Sequence, residues 1–376
     1  MKKLVAFLTT VTILVAVLTV ATRKTEEPQV QIPQQQQVQP EKPKIEPPPQ
    51  PKPPAPAWTF ETAKNQISEI SIRQMMTYFT SNELEGRMSG KRGNELAAAY
   101  VANKFREFNL LPGNNKQQPV SYFQPFNIRN VNNFKEQGNG RTANVVGYIP
   151  GTDVLTGEEG QFIIIGAHLD HIGYGPSYSR APNRREIHPG ADDNASGSCA
   201  LVEIAKAFSL LNGKNKHTIV FINFSAEEMG LLGAEHYCRN PLFPLDKTIF
   251  MLNMDMIGRY SGNGSLGCLG ANRSNEMRTA AQAVTTGLNV KLTNSTGGGS
   301  DHEAFQQYQI PTVFMHTGLH PQYHTPDDTA NRIDYYGLTE IAKYVFHFCW
   351  NIDHGMKPQL TSQYVPNKEP FRDHDK

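Results

Sequence analysis

Hydrophobic positions along the chain form short apolar runs that alternate with longer amphipathic segments. Five runs rich in β-branched residues are apolar on both alternating faces, which is typical of strands covered on both sides: residues 143–149, 162–166, 218–224, 249–254 and 312–315. Apolar residues at helical spacing predict helices at residues 94–108, 198–211, 276–286, 303–308 and 338–352. This alternation predicts an α/β domain with a mostly parallel central sheet sandwiched between helices.

The first 24 residues carry a different pattern. Lys2 and Lys3 precede an uncharged apolar stretch at residues 4–21, which is typical of an export signal. The stretch is long for a cleaved signal peptide and near the lower length limit of a membrane-spanning helix. We therefore expect residues 1–24 to be a signal peptide or an N-terminal membrane anchor, and the rest of the chain to be periplasmic or extracellular.

Residues 25–57 consist mostly of Pro, Gln, Lys and Glu. Such a segment cannot bury enough apolar surface to offset the entropy lost on ordering, so we expect a disordered, extended linker. The remaining sequence divides into residues 58–355, a length that suits one large α/β domain, and a polar C-terminal tail at residues 356–376.

Composition narrows the classes of partner and cofactor. The net charge of +1 gives no reason to expect a nucleic-acid partner. The four cysteines form no CxxC pair, which leaves both disulfides and buried free thiols open. The segment "GNGSLG" spells GxGxxG, but a dinucleotide fingerprint needs a helix to open directly from its glycines. The next residues have the pattern of a strand and a turn, so we interpret the segment as a flexible loop without a cofactor.

Polar residues collect where the predicted strands end, which is where open α/β sheets bind ligands. They are His168 and Asp170 in "AHLDH", Asp192 and Asp193 in "GADDNASG", Glu227 and Glu228 in "SAEEMG", Asp255 in "NMDMIG", and Tyr323 and His324 in "YHTPDDT". Each has an ordinary structural explanation, such as a helix N-cap for an aspartate. Together, however, several carboxylates and two imidazoles would gather at one sheet edge. Without a cation among them, mutual repulsion and desolvation would drive some of these groups to bind protons.

The residue types indicate which cation this is. Imidazole and carboxylate without thiolate suit zinc. Two histidines and three carboxylates are too many for one tetrahedral ion that also holds a water, but they fit two ions about 3.5–4 Å apart that share a bridging carboxylate. One glutamate of the adjacent pair would then be a ligand, and its neighbour would be free to transfer protons.

These motifs, in this order, resemble the two-zinc exopeptidase family that includes aminopeptidase Y, bacterial leucyl aminopeptidases and the more distant glutamate carboxypeptidases. The likeness spans residues 67–353 and rests on "GAHLDHIG", "GADDNASG", "SAEEMGLLGA", "NMDMIGR" and "YHTPDDT". It implies a phosphorylase/hydrolase-like fold and two zinc ions per chain. The implied ligands are His168 and Asp255 on one zinc, Glu228 and His324 on the other, and Asp193 between them.

The resemblance also implies roles around the ions. It makes Glu227 the general base and gives the Asp170 carboxylate a hydrogen bond to the ring of His168. It implies a cis peptide bond after Asp193. Some relatives place a tyrosine before "SDH" as the donor to the charged oxygen, but that position here is glycine, so the donor is expected to be Tyr323.

We therefore expect an exported dinuclear zinc aminopeptidase that removes N-terminal residues from peptides. One alternative is a single-zinc enzyme similar to glutaminyl-peptide cyclotransferases, and another is a catalytically inactive, tethered binding module. Carboxypeptidase or dipeptidase activity also stays open, as does the oligomeric state. Arg180, Arg184 and Arg185, between two ligand motifs, are expected either to favour carboxylate-bearing substrates or to be a solvated loop face.

Overall fold

The computed structural model describes residues 58–115, 118–128, 140–155, 160–175 and 178–365. The predicted signal or anchor, the predicted linker up to residue 57 and residues 366–376 of the predicted tail lie outside the described residues. The helices are α1 (Phe60–Lys64), α2 (Glu69–Phe79), α3 (Arg92–Glu107), α4 (Thr152–Leu155), α5 (Gly197–Leu210), α6 (Leu232–Arg239), α7 (Tyr260–Asn263), α8 (Asn275–Gln282), α9 (His302–Gln306) and α10 (Tyr335–His354). The strands are β1 (Leu111–Pro112), β2 (Phe123–Asn127), β3 (Arg141–Ile149), β4 (Phe162–His168), β5 (Thr218–Phe224), β6 (Thr248–Met254), β7 (Leu266–Leu269), β8 (Val290–Leu292) and β9 (Thr312–His316).

The described strands form one sheet in the order β1-β3-β5-β4-β6-β9-β7-β8, with β2 also paired to β3. The α/β class with a central sheet between helices is confirmed. The sheet is mixed: its centre, β5-β4-β6-β9, is parallel, whereas β3 and β7 run antiparallel to their central neighbours. A pair of parallel strands needs a crossover connection, and α5 supplies it between β4 and β5. Strands β2 and β3, by contrast, pair antiparallel.

The central strands are buried on both faces, as their apolar runs predict. Every residue of β5 and β6 is buried. Alternate β5 side chains enter two different core clusters, so that Phe221 packs in the layer that contains Phe208 and Phe346, and Phe224 packs with Tyr237 and Phe305. Two covered faces leave the ends of the strands as the places where polar side chains can gather.

The C-terminal boundary differs from the prediction. Residues 356–365 belong to the expected polar tail, yet Tyr364 is buried and its hydroxyl lies 3.0 Å from Thr312 Oγ1. The Tyr364 N–H also donates to Gln309 Oε1 at 2.8 Å. The domain therefore extends past residue 355, because Tyr364, the buried Pro358 and the partly buried Leu360 attach this segment to the edge of the core.

Other expectations concern cysteines, glycines and membranes. All four cysteines are buried free thiols. The "GNGSLG" segment is not a plain loop, because α7 ends within it and β7 begins at Leu266, but no helix opens from its glycines. Among the helices that the structure describes, none combines the length and apolar character needed to cross a bilayer.

Candidate metal centre

The carboxyl ends of the central strands bring the predicted site residues together. His168 is the last residue of β4, Glu227 and Glu228 follow β5, and Asp255 follows β6. Asp193 lies just before α5, and His324 lies in the loop after β9. Because parallel strands end at one edge of the sheet, loops that are far apart in sequence meet there. All of these side chains are at most 10 % exposed.

Their ligand atoms form two adjacent groups. In the first, His168 Nε2 lies 3.3 Å from Asp255 Oδ1 and 3.3 Å from Asp193 Oδ1. In the second, His324 Nε2 lies 3.0 Å from Glu228 Oε2 and 3.1 Å from Asp193 Oδ2. We call these the first and the second metal position. Asp193 thus turns one carboxylate oxygen towards each position, which is the arrangement of a bridging ligand.

The spacing of these atoms fits zinc. Two ligand atoms on a tetrahedral zinc, each bonded at about 2.0 Å, lie about 3.3 Å apart. Within the described residues, His168 Nε2, His324 Nε2, Asp193 Oδ2 and Asp255 Oδ1 are buried without a hydrogen-bond partner. Buried polar atoms are normally paired, so lone pairs that face one another at this distance indicate a site for a cation.

The adjacent glutamates differ electrostatically. Burial, with the nearby charges of Glu228 and Asp255, raises the pKa of Glu227 well above its usual range, although His168 opposes this. The pKa of Glu228 is lowered despite its burial, because the imidazoles of His171 and His324 stabilise its charge. The pair therefore already divides into a carboxylate held ionised and a carboxylate that readily takes a proton. A bound cation would favour the charged form of both.

Asp193 rather than Asp192 faces the two metal positions. The pKa of Asp193 lies well below its usual value, because His168 and His324 outweigh the effect of burial. The Asp192 carboxylate instead accepts the Gly258 N–H at 2.6 Å. The Asp328 carboxylate accepts the N–H groups of both aspartates, at 2.9 and 3.1 Å, and so holds the segment that carries them.

The backbone is unusual at the same places. The peptide bond between Asp193 and Asn194 is cis, as the resemblance implies. Of the eight described residues other than glycine that have left-handed backbone angles, three lie at the predicted site residues: Ala226 (φ 59°) directly before Glu227, Met256 (φ 54°) directly after Asp255, and His324 itself (φ 55°). Such conformations cost about 1–3 kcal/mol each and cluster at functional sites. The Ser89 hydroxyl accepts the Ala226 N–H at 2.8 Å and supports the first of them.

Asp170 acts differently from the expectation. Its carboxylate is 3.8 Å from His168 Nδ1, too far for a hydrogen bond, and that ring nitrogen instead faces the backbone oxygen of Asp170 at 3.2 Å. The carboxylate accepts the N–H groups of Glu227 and Glu228, at 3.1 and 3.4 Å. Two consecutive N–H groups after the left-handed Ala226 converge on it. Asp170 therefore holds the turn that carries the glutamate pair, and it holds the His168 ring only through its main chain.

Tyr323 lies against the second metal position. Its ring stacks on His324 with centroids 3.9 Å apart, and the guanidinium of Arg180 lies 4.6 Å from the Tyr323 ring centre. Burial raises the pKa of Tyr323, so its hydroxyl stays protonated and can donate a hydrogen bond. Arg184, by contrast, is paired with Glu186 and Asp327, at 3.0 and 2.8 Å.

Two residues near the centre were missed by sequence reasoning. His171 is buried, and its Nδ1 lies 2.7 Å from Glu228 Oε1, in the group of atoms that forms the second metal position. Its only signal was the second histidine of "AHLDH". The other residue, Arg87, is fully buried, and its guanidinium donates to the carbonyls of Leu169, Pro189 and Gly190. It joins the loop after His168 to the loop before Asp193.

The chain is similar in sequence to curated leucine aminopeptidases. A "Probable leucine aminopeptidase" of Arthroderma otae is 28% identical over 210 residues, which is 53% of this chain and 56% of that protein. The chain therefore spans about half the length of the curated relatives it matches.

Solved structures share the fold. A zinc aminopeptidase from Bacillus subtilis superposes with a TM-score of 0.59 at 16% identity, covering 78% of this chain and 98% of that chain. A glutaminyl cyclase from Bacteroides thetaiotaomicron gives a TM-score of 0.57 at 20% identity, covering 76% and 98%. At these identities the likeness establishes the fold alone.

The sequence model of one peptidase family matches the part of the chain that contains the two metal positions. "Peptidase family M28" matches residues 144–349, which is more than half of the chain and contains every residue of the two metal positions. The match, the shared fold and the two groups of ligand atoms agree, and the chain belongs to peptidase family M28.

Proposed function

We propose that the chain is an exported dinuclear zinc aminopeptidase that hydrolyses the N-terminal peptide bond of peptides. The observation that carries the proposal is the orientation of Asp193, whose two carboxylate oxygens lie 3.3 Å from His168 Nε2 and 3.1 Å from His324 Nε2. A carboxylate that directs one oxygen at each of two imidazoles can bridge a pair of ions, whereas a single ion needs no such bridge. The ligands would be His168, Asp193 and Asp255 at the first position, and Asp193, Glu228 and His324 at the second.

Zinc, when bound, supplies Lewis acidity that polarises the peptide carbonyl and makes a water nucleophilic near neutral pH. Glu227 is the proposed general base. Its Oε2 lies 3.9 Å from His168 Nε2, close to the first metal position but farther than the other carboxylates. It would accept a proton from the attacking water and return that proton to the leaving amine.

Two further residues support the reaction. The hydroxyl of Tyr323, which stays protonated, would donate a hydrogen bond to the carbonyl oxygen as it becomes negative. Asp170, by accepting the N–H groups of Glu227 and Glu228, would hold the base and the ligand of the second position in a fixed relation.

Action at an N-terminus is supported by the curated relatives that the chain matches. The curated relatives are named leucine aminopeptidases, but the name is theirs, and the preferred residue of this chain has to be measured.

The shared fold of a glutaminyl cyclase keeps that activity as the second candidate. The test uses the purified full chain and measures zinc content together with two reactions. Two zinc ions per chain and release of the amine from aminoacyl arylamides are expected. One zinc ion per chain with ring closure of N-terminal glutamine would replace this proposal with the cyclase, and bound zinc without either reaction would favour an inactive binding module.

Export is part of the proposal on the evidence of the N-terminal pattern alone. A positive segment followed by an apolar stretch directs a chain to the export machinery. Fractionation of cells that express the full chain is expected to place it in the periplasm, the membrane fraction or the medium. Recovery in the cytosol would contradict this part of the proposal without affecting the catalytic part.

A further inference from the structure

We propose that His171 is a positioning residue for the second metal position. It would donate a hydrogen bond from Nδ1 to one oxygen of Glu228 and so keep the other oxygen directed at the ion. The inference rests on the proposed two-metal function and adds a residue that the resemblance does not assign. It predicts that the two metal positions depend on different parts of the chain.

The hydrogen bond between these two side chains runs from His171 to Glu228. His171 Nδ1 lies 2.7 Å from Glu228 Oε1. An ionised carboxylate has no hydrogen to donate, so the imidazole must be the donor. The other oxygen of the same carboxylate, Oε2, lies 3.0 Å from His324 Nε2. The two oxygens of Glu228 therefore have separate functions, one as acceptor from His171 and one as a ligand atom.

Interatomic distances distinguish a positioning residue from a fourth ligand. Atoms bonded to one tetrahedral zinc would be about 3.3 Å apart, whereas 2.7 Å is the length of a charge-assisted hydrogen bond. His171 Nδ1 is also 3.7 Å from Asp193 Oδ2, farther than His324 Nε2 is from that oxygen. The geometry thus directs His171 at Glu228 and not at the centre of the second position.

The His171 ring has little freedom to turn. Its side chain is fully buried, and its ring meets the His324 ring edge-on with centroids 5.6 Å apart. Gly190 lies against it so closely that a Cβ atom there would come 2.5 Å from His171 Cγ. A side chain locked by packing is what a positioning residue requires, because a mobile donor would not fix its acceptor.

Both metal positions have a fixed imidazole, because the backbone oxygens of Asp170 and Tyr178 lie 3.2 and 3.1 Å from Nδ1 of His168 and His324. The second position differs in that its own carboxylate, Glu228, also has a side-chain donor, His171. Loss of His171 should therefore weaken one position and spare the other.

The test measures zinc affinity in the full chain, by competition with a chelator, for His171→Ala and His171→Asn. Asparagine can place an N–H donor near the position of Nδ1 but is a poor zinc ligand. Loss of an outer-sphere partner typically weakens metal binding 10–100-fold. We expect that loss for the second zinc in His171→Ala, unchanged affinity for the first, and affinity within a few-fold of wild type in His171→Asn.

A matched control is His217→Asn, which alters another buried histidine, 3.2 Å from Asp353 at the opposite end of the sheet. It is expected to leave both zinc affinities unchanged. If His171→Ala does not fold, His171→Asn alone decides: near-wild-type affinity for the second zinc supports the proposal.

Other results would overturn it. Equal loss of the second zinc in both His171 variants would make the imidazole a direct ligand, and wild-type affinity in His171→Ala would leave it without a role at the metal. A single zinc in the wild-type chain would instead overturn the two-metal function itself, so the two failures can be told apart.

Discussion

The two ends of β5 carry buried histidine–carboxylate clusters of opposite character. At the amino end, His217 precedes the strand and contacts Asp353 of α10. At the carboxyl end, Glu227 and Glu228 follow the strand and meet His168 and His324. Both clusters are buried, and both combine imidazole with carboxylate.

Hydrogen bonds within the chain satisfy the cluster at the amino end. The Asp353 carboxylate accepts the N–H groups of Lys216 and His217, each at 2.8 Å, and the ring of His217 lies 3.2 Å away. Every oxygen of the one acid has a donor, so the cluster needs nothing from outside the chain.

Hydrogen bonds within the chain do not satisfy the cluster at the carboxyl end. Several carboxylates and imidazoles lie 3.0–3.3 Å apart, and four of the facing atoms lack a hydrogen-bond partner among the described residues. The difference teaches that burial and residue type do not by themselves mark a functional site; what separates the two ends is a group of imidazole and carboxylate atoms that face one another without hydrogen-bond partners in the described part of the chain. Three predictions test this contrast, beginning with the largest expected effect, and a fourth concerns a buried histidine outside both clusters.

Asp193→Asn should have the largest effect, because it removes the one carboxylate shared by the two positions. We expect loss of zinc, loss of activity and loss of the rise in melting temperature that zinc gives the wild-type chain. Metal analysis and thermal unfolding with and without zinc measure this. Asp192→Asn is the matched control and should keep its zinc; the reverse outcome would move the bridge to Asp192.

Glu227→Gln should abolish most of the turnover but keep both ions. Removal of a general base costs about 10²–10⁴-fold in kcat. Glu228→Gln, one residue away, should instead lower zinc content, because Glu228 Oε2 lies at the second metal position. Steady-state kinetics and metal analysis of the two variants decide; zinc loss in Glu227→Gln would show that the two glutamates have been assigned the wrong way round.

His217→Asn should affect stability and nothing at the metal centre. The variant disturbs a buried partner of Asp353, so we expect a loss of about 1–3 kcal/mol in the free energy of unfolding. Denaturant unfolding measures it, and kcat/KM and zinc content should match the wild type. A change in zinc affinity would break the contrast between the two ends of β5.

His302→Gln should have an effect that appears only in acid. Burial lowers the pKa of His302 to about 4, below its ordinary value of 6.5. The unfolded chain therefore binds a proton at this residue before the folded chain does, and stability is lost as the pH falls from 6.5 towards 4. Unfolding free energies measured in chelator from pH 7 to 4.5 should fall less steeply in the variant; parallel curves would contradict the assignment.

Much of the site could be predicted because local sequence patterns indicate the buried strands of a parallel sheet and the residues at their ends. Runs such as that of β5, buried over its whole length, indicate covered strands, and the polar residues after them must meet at one edge. Glu227, Glu228 and Asp255 follow such runs, and the structure brings them together with His168 and His324. Choosing Asp193 over its neighbour needed a resemblance as well.

Other features could not be predicted from pattern. The Asp170 carboxylate was expected at the His168 ring, but the N–H groups of the glutamate turn are nearer, and no sequence signal encodes that competition. Tyr364 attaches to Thr312, 52 residues away, through one hydroxyl in a segment of polar composition. The mixed character of the sheet likewise depends on how β3 and β7 pair, which their own residues do not specify.

By itself, the sequence determined the class of fold, the set of ligand types and the strand ends at which they lie, because periodicity and residue chemistry are local properties. Only the tertiary structure decided which atoms face one another. His171 and Glu228 are 57 residues apart, and their 2.7 Å contact exists because packing around Gly190 and His324 sets the direction of one ring. Side-chain direction is determined by non-local packing, which no run of neighbouring residues records.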